Sequence, residues 1–126
     1  MIKILIIDDS EIIRSLLSEF FEECGYHVEC AIDGLEGIQK ALANDHNLIF
    51  CDVHMPKRNG YQVYKEVSSH KPEVKFIMTD SLPDSLAEKT LQAGASTILT
   101  KPFDLDEVRL TVSRLLKDKK ENVVKQ

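Results

Sequence analysis

Short apolar runs alternate with longer amphipathic segments along most of the chain, and this alternation constrains the fold more than any other feature of the sequence. A short apolar run between turn signals predicts a strand buried on both faces, whereas apolar residues at the helical period predict a helix. The predicted strands span residues 4–7, 26–31, 48–51, 75–79 and 96–100. The predicted helices span residues 10–24, 33–43, 59–69, 81–93 and 104–116. Strict alternation implies right-handed crossovers, so we predict an α/β fold with a parallel sheet covered by helices on both faces.

Turn and capping residues indicate where several predicted helices begin and end. Residues 33–36 have the spacing of a capping box, and Gly25 and Gly94 are typical of the position just after a helix. Residues 81–84 open the fourth helix with a proline in its first turn, and Asp104 caps the fifth. The second strand alternates only in part, which indicates an edge strand. The order of the strands does not follow from the alternation alone.

The composition is that of an ordinary globular domain, and cytoplasmic location is the expectation. The chain has 126 residues, of which 43% are hydrophobic and 29% are charged. Its net charge of −5 argues against direct binding to nucleic acids or membrane surfaces. No apolar run approaches a membrane span in length, and Asp8 and Asp9 come too early for a signal peptide. The cysteines lack metal-type spacing and lie on apolar stretches, which predicts reduced, buried thiols.

Polar residues follow four of the predicted strands, at the point where each strand ends. The first strand leads to Asp8 and Asp9, the third to Asp52, the fourth to Thr79 and the fifth to Lys101. In a parallel sheet these ends lie along one edge, where ligands of open α/β sheets bind. Clustered carboxylates repel one another and attract a cation, and oxygen ligands at partly solvated loops suit Mg²⁺.

The same residues make chemical sense as an aspartyl-phosphate site. A carboxylate such as Asp52, close to a metal and an ammonium, can act as a nucleophile toward phosphorus. Lys101 and Mg²⁺ would neutralise the transferring group, and the hydroxyl of Thr79 can donate to a phosphoryl oxygen. Each residue also has a structural alternative, since Asp9 could cap the first helix and the others could be loop residues. Their occurrence together at aligned strand ends favours the functional interpretation.

The sequence resembles the receiver domain of two-component response regulators. The matching segments extend from about residue 3 to residue 116 and are residues 6–10 (Ile-Ile-Asp-Asp-Ser), 52–56 (Asp-Val-His-Met-Pro), 59–60 (Asn-Gly), Thr79, 93–95 (Ala-Gly-Ala) and 101–103 (Lys-Pro-Phe). Single-domain regulators of the chemotaxis and sporulation types are the most similar kind. The resemblance implies a receiver domain over residues 1–118, followed by a polar tail over residues 119–126.

The resemblance implies a flavodoxin-like, doubly wound fold of five parallel strands in the order 2-1-3-4-5 with five helices. It implies that Asp52 is the phosphoacceptor. Mg²⁺, with Mn²⁺ as an alternative, would be held by Asp9, Asp52 and the backbone carbonyl of His54, with Asp8 assisting. Self-phosphorylation and autodephosphorylation would be the only catalytic activities.

The resemblance also implies a switch mechanism and a set of partners. Thr79 would bind the phosphoryl group and move on activation, Lys101 would contact a phosphoryl oxygen, and a cis peptide bond would precede Pro102. The donor would be a sensor histidine kinase or a phosphotransfer protein. A downstream protein would bind the face formed by the fourth helix, fifth strand and fifth helix, and the chain would be a monomer or a weak dimer.

Three positions depart from the family pattern or carry an unusual side chain. Asp80 stands after the switch threonine, where a small residue is usual, and its carboxylate could repel or crowd an incoming phosphoryl group. Ile98 replaces the tyrosine or phenylalanine of the switch position. His54 lies two residues after Asp52, where it is either a tuning residue or an exposed loop histidine.

Three alternatives to a phosphorylated switch belong to other functional classes. A degenerate receiver would bind partners without phosphorylation, and Asp80 and Ile98 favour this alternative. An Mg²⁺-dependent aspartyl phosphatase would carry an Asp-x-Asp arrangement after the first strand, whereas Asp8 and Asp9 are adjacent. A flavin-binding protein would need a phosphate-cradling loop at that position, where two carboxylates repel phosphate.

Overall fold

The computed structural model describes the backbone of residues 1–81 and 84–124, and the side chains of residues 1–81 and 84–116. Within these residues five strands alternate with five helices, as predicted. The strands are β1 (Lys3–Ile7), β2 (His27–Ala31), β3 (Leu48–Asp52), β4 (Lys75–Asp80) and β5 (Thr97–Thr100). The helices are α1 (Glu11–Glu23), α2 (Gly34–Ala43), α3 (Gly60–His70), α4 (Ser85–Ala93) and α5 (Leu105–Val124).

The strands form one parallel sheet in the order β2-β1-β3-β4-β5, which confirms the doubly wound, flavodoxin-like fold and the edge position of β2. β1 pairs with β2 on one side and with β3 on the other. The strand order reverses at β1, so a crevice opens at the carboxyl ends of β1 and β3. The register between β3 and β4 aligns Asp52 with Thr79.

The core consists of two apolar layers, one on each face of the sheet. Leu5 and Ile7 point into the layer that includes residues of α2 and α3, whereas Ile4 and Ile6 point into the layer formed with α1 and α5. Because both faces are covered, the strands are almost continuously apolar rather than alternating. The last helix packs one apolar face on this layer, since Val108, Val112 and Leu116 are buried and Leu105 and Leu115 pack beside them.

Two element boundaries differ by more than one residue from those predicted. α4 begins at Ser85 rather than Ser81, because Asp84 is its N-cap and accepts hydrogen bonds from the N–H groups of Leu86 and Ala87. The proline predicted in its first turn, at position 83, lies outside the described residues. α5 continues to Val124, while the side chains of the predicted polar tail lie outside the described part of the chain.

The capping residues behave largely as expected. Asp104 accepts from the N–H of Glu107 at 2.7 Å at the start of α5. Asp33 caps α2, but the carboxylate of Glu36 accepts from the N–H of Ile32 rather than from that of the cap residue. Gly94 ends α4 with a φ of 129°, a conformation that favours glycine.

Two further findings concern the cysteines and the helices. Cys51 is buried and Cys30 is half-buried, but Cys24 is exposed, so the expectation of a buried thiol is wrong at that position. Cys24 lies at the end of α1, where the chain leaves the core.

In the part of the chain that the structure describes, no helix combines the length and apolarity needed to cross a bilayer.

Candidate functional site

Three carboxylates meet where β1 and β3 end. Asp8 and Asp52 are 2% and 7% exposed, whereas Asp9 is exposed to solvent. One ligand atom from each of the three lies within 4.8 Å of the others. The topology explains the cluster, because β1 and β3 are neighbours and the first two aspartates directly follow β1.

Asp8 is held in place from several directions. Its Oδ1 accepts from the N–H of Ser10 at 2.9 Å, and its Oδ2 accepts from Lys101 Nζ at 2.9 Å. Its backbone carbonyl accepts from Arg14 Nη1 at 2.8 Å. Ser10 also caps α1 by accepting from the N–H of Ile13, so the capping role considered for Asp9 belongs to Ser10.

Lys101 supplies the positive charge of the site. Its Nζ lies 2.9 Å from Asp8 Oδ2 and 3.5 Å from Asp52 Oδ2. Burial opposes its charged form, but the hydrogen bond to Asp8 and the charges of Asp52 and Asp8 outweigh burial and raise the pKa of Lys101. The peptide bond between Lys101 and Pro102 is cis, as expected.

The surroundings of Asp52 raise the pKa of its carboxyl group. Burial is the largest cause and raises its pKa, the charge of Lys101 lowers it, and the charges of Asp8 and Asp9 raise it again. The net result is a pKa of about 6, against the usual 3.8. A cation near this carboxylate would favour its ionised form.

Gly60 closes the loop after β3 tightly against the site. Its N–H donates to the carbonyl of Val53 at 2.7 Å. A Cβ at this position would lie 2.6 Å from the carbonyl oxygen of Asp52 and 2.8 Å from the Cα of Val53. Asn59 and Gln62 form a complete capping box at the same helix start. The Asn-Gly pair therefore lets α3 begin directly against the end of β3.

Thr79 is buried at the end of β4 and lies opposite Asp52 in the sheet. Its carbonyl accepts from the N–H of Val53 at 2.9 Å, which ties the loop after β3 to β4. The next residue, Asp80, accepts through its carbonyl from the N–H of Lys101 at 2.7 Å. The ends of β3, β4 and β5 are thus linked by backbone hydrogen bonds.

The side chains of His54 and Asp80 turn toward Asp84, a residue that the sequence interpretation did not assign to the site. His54 Nε2 hydrogen-bonds with Asp84 Oδ2 at 2.9 Å and lies 3.8 Å from Asp80 Oδ2. Asp84 was missed because it looked like an ordinary residue of a helix start. The local signal was the residue type, since aspartate is a preferred N-cap.

Ile98 lies on β5, which β4 separates from β3 and its Asp52. It is half-buried, packs against the core layer on the α3 and α4 side, and lines a surface groove with Leu110 of α5. The structure therefore brings together Asp8, Asp9, Asp52 and Lys101, places Thr79 beside them, and separates Ile98 from them.

The three-carboxylate cluster fits a Mg²⁺ ion in its donor chemistry. All three side chains offer oxygen ligands, and the two buried ones, Asp8 and Asp52, have Lys101 Nζ at 2.9 and 3.5 Å. Hard oxygen ligands at a partly solvated cleft are the environment that Mg²⁺ prefers. The exposed carboxylate of Asp9 leaves the open side of the cluster accessible to water and to phosphate oxygens.

Comparison with protein families and with curated proteins gives a consistent result. The family model described as response regulator receiver domain matches residues 4–113. The chain is 35% identical to the alkaline phosphatase synthesis transcriptional regulatory protein PhoP of Bacillus subtilis, over 91% of this chain and 48% of that protein. It is 31% identical to the transcriptional regulatory protein CrdR of Helicobacter pylori, over 92% of this chain and 55% of that protein. The chain thus spans about half the length of these relatives.

Solved structures show the same fold. The chemotaxis protein CheY4 of Vibrio cholerae aligns with a TM-score of 0.84 and 31% identity, covering 91% of this chain and 98% of that one. The response regulator TrrA of Thermotoga maritima, solved in complex with Mg²⁺ and BeF, aligns with a TM-score of 0.83 and 30% identity. That alignment covers 91% of this chain and 99% of the other.

Proposed function

Because the chain belongs to the family of response regulator receiver domains, which act in phosphorylation-based signalling, we propose that it is a switch that accepts a phosphoryl group on Asp52. The donor in this proposal is the phosphohistidine of a sensor histidine kinase or of a phosphotransfer protein. The observation that carries the proposal is the position of the Asp52 carboxylate. It lies within 4.8 Å of two further carboxylates and 3.5 Å from the ammonium of Lys101.

The transfer forms one bond and breaks one bond. A carboxylate oxygen of Asp52 attacks phosphorus as the bond from phosphorus to the donor imidazole nitrogen breaks, and the imidazole leaves. Asp52 must be ionised to attack, and its pKa of about 6 means that it is largely ionised only above that pH. Lys101, held by Asp8 at 2.9 Å, is placed to contact an oxygen of the incoming group.

The remaining residues of the cluster have binding roles in this proposal. Asp9, Asp52 and the backbone carbonyl of His54, with Asp8 assisting, would hold Mg²⁺ or, alternatively, Mn²⁺. The ion would supply positive charge to the phosphoryl oxygens. Thr79, buried opposite Asp52, would donate its hydroxyl to a phosphoryl oxygen.

The output of the proposed switch is a change in the face formed by α4, β5 and α5, where a downstream protein would bind. Ile98 lacks the aromatic ring whose change of rotamer would accompany movement of the switch threonine. We therefore propose that movement of Thr79 is relayed through the backbone. The hydrogen bond from the N–H of Lys101 to the carbonyl of Asp80 supports this route, because it joins the end of β4 to the end of β5. Ile98 and the exposed Leu110 line one groove on this face and would form an apolar contact for the partner.

A second candidate function is phosphorylation-independent binding by a degenerate receiver, and the burial of Asp80 favours it. Asp80 is 4% exposed and directly follows Thr79, where the family usually has a small residue, and its carboxylate lies 3.8 Å from His54 Nε2. The two functions share the same fold, the same cytoplasmic location and the same output face. They differ only in whether Asp52 reacts.

Intact-mass measurement after incubation with a small-molecule phosphodonor and Mg²⁺ distinguishes the two functions. The wild-type chain should gain one phosphoryl group, and Asp52→Asn should gain none because an amide is not a competent nucleophile. Asp45→Asn, which alters an exposed aspartate distant from the cluster, is the matched control and should react like the wild type. Stoichiometric labelling of Asp52→Asn would overturn the assignment, and an unreactive wild type would favour the degenerate receiver.

A further inference from the structure

A second group of potential metal ligands lies at the rim of the site and belongs to neither the core nor the carboxylate cluster. It consists of His54 after β3, Asp80 at the end of β4 and Asp84 before α4. One ligand atom from each lies within 4.8 Å of the others. His54 and Asp84 are exposed, and Asp80 is buried.

The buried carboxylate of this group is incompletely satisfied. Asp80 Oδ2 has no hydrogen-bonding partner within the described residues, although Asp80 is only 4% exposed. A buried carboxylate oxygen without a partner costs free energy, since it has lost its water without regaining an equivalent interaction. His54 Nε2, at 3.8 Å, is too far away to be a hydrogen-bond donor. The atom faces the imidazole of His54, which also contacts Asp84.

The spacing of the three ligand atoms suits a small divalent cation. Two ligands of a tetrahedral ion, each about 2.0–2.1 Å from the metal, lie about 3.3 Å apart. His54 Nε2 lies 2.9 Å from Asp84 Oδ2 and 3.8 Å from Asp80 Oδ2, so the observed distances bracket this value. Changes of about half an ångström would bring both distances to this value, and one ligand atom of Asp80 lies within 4.8 Å of one of Asp84.

Asp84 is also oriented for this role by its own backbone. Its Oδ1 accepts from the N–H groups of Leu86 and Ala87 at 3.1 and 3.2 Å, as the N-cap of α4. Oδ2 is therefore directed away from the helix and toward His54. Hydrogen bonds of this kind to a ligating carboxylate orient metal ligands in proteins.

We propose that His54, Asp80 and Asp84 form a second metal site, which binds a transition-metal ion of the Zn²⁺ class. The imidazole ligand favours such an ion over Mg²⁺, which suits the all-oxygen cluster. Binding uses the lone pair of His54 Nε2, so the proton of the neutral ring would reside on Nδ1, and a coordination position remains for water. The ion would tie the loop after β3 to the end of β4 and to the start of α4.

Calorimetric titration with Zn²⁺, in buffer that contains saturating Mg²⁺, tests the proposal on the full chain. The wild type should bind one Zn²⁺, and the imidazole nitrogen resonances of His54 should shift. His54→Gln and Asp84→Asn should each weaken binding by about tenfold or more. Asparagine is also a good N-cap, so the second variant keeps the start of α4 intact.

Two controls locate the ion. His70→Gln should bind Zn²⁺ like the wild type. His70 is exposed, and its ion pair involves one carboxylate, that of Glu66 at 4.0 Å, whereas His54 contacts two. Asp52→Asn should keep Zn²⁺ binding while losing phosphorylation, so this inference and the proposed function fail independently. Absence of Zn²⁺ binding, equal binding by His54→Gln, or loss of binding in Asp52→Asn would each overturn the second site.

Discussion

Replacement of Asp52 by asparagine should stabilise the metal-free protein at neutral pH. The pKa of Asp52 is about 6 in the folded chain, against a usual value of 3.8 that approximates the unfolded chain. The folded state therefore holds its proton more tightly, and the free energy of unfolding decreases as pH rises from about 4 to about 6. Above that range the ionised carboxylate destabilises the fold by about 3 kcal/mol, from about two pKa units at 1.36 kcal/mol each. Because Asp52 is only 7% exposed, solvent screens this cost weakly.

Urea denaturation between pH 4 and pH 8, in the presence of a chelator, measures this effect. Asp52→Asn mimics the protonated carboxyl, so its free energy of unfolding should match that of the wild type near pH 4 and exceed it by about 3 kcal/mol at pH 7. Asp45→Asn, at an exposed site, should not reproduce the pH-dependent difference. Saturating Mg²⁺ should reduce the difference by stabilising the ionised wild type. A difference that is absent at pH 7, or that grows toward acid, would refute the reasoning.

Four further outcomes follow from the same geometry. Asp9→Ala should weaken Mg²⁺ binding, measured by titration, because it removes an anionic ligand from the open side of the cluster. Asp80→Ala should speed phosphorylation by small donors, with each ~1.4 kcal/mol of relieved repulsion giving a tenfold faster rate; an unchanged rate would show that Asp80 points away from the site, and a slower rate that it assists the reaction. Gly60→Ala should lower the free energy of unfolding by about 1–3 kcal/mol in urea denaturation, because its Cβ would lie 2.6 Å from the carbonyl oxygen of Asp52. A phosphoryl mimic should shift the amide resonances of Ile98 and Leu110, and changes confined to the rim around Asp52 would exclude the proposed relay.

Local sequence patterns were sufficient to place most of the elements and the centre of the site. The apolar run of β3 ends in Asp52, and a buried strand followed by a carboxylate can be recognised without any tertiary information. The start of α4 was misplaced because two local rules compete there. Proline is tolerated in a first helical turn, but aspartate at position 84 caps better, and its hydrogen bonds to Leu86 and Ala87 determine the boundary.

By itself, the sequence determined the α/β class, the strand-terminal carboxylates and, through its resemblance to receiver domains, the strand order. These features depend on periodicity and on neighbouring residues, and both can be read from the sequence without the tertiary structure. Only the tertiary structure decided the raised pKa of Asp52, since burial and the charge of Asp8 raise it while Lys101 partly offsets them, and both residues are distant in sequence. The convergence of His54 on Asp84, 30 residues later in the chain, likewise has no local signal. Its physical basis is the parallel register of β3 and β4, which brings their carboxyl ends to the same edge of the sheet.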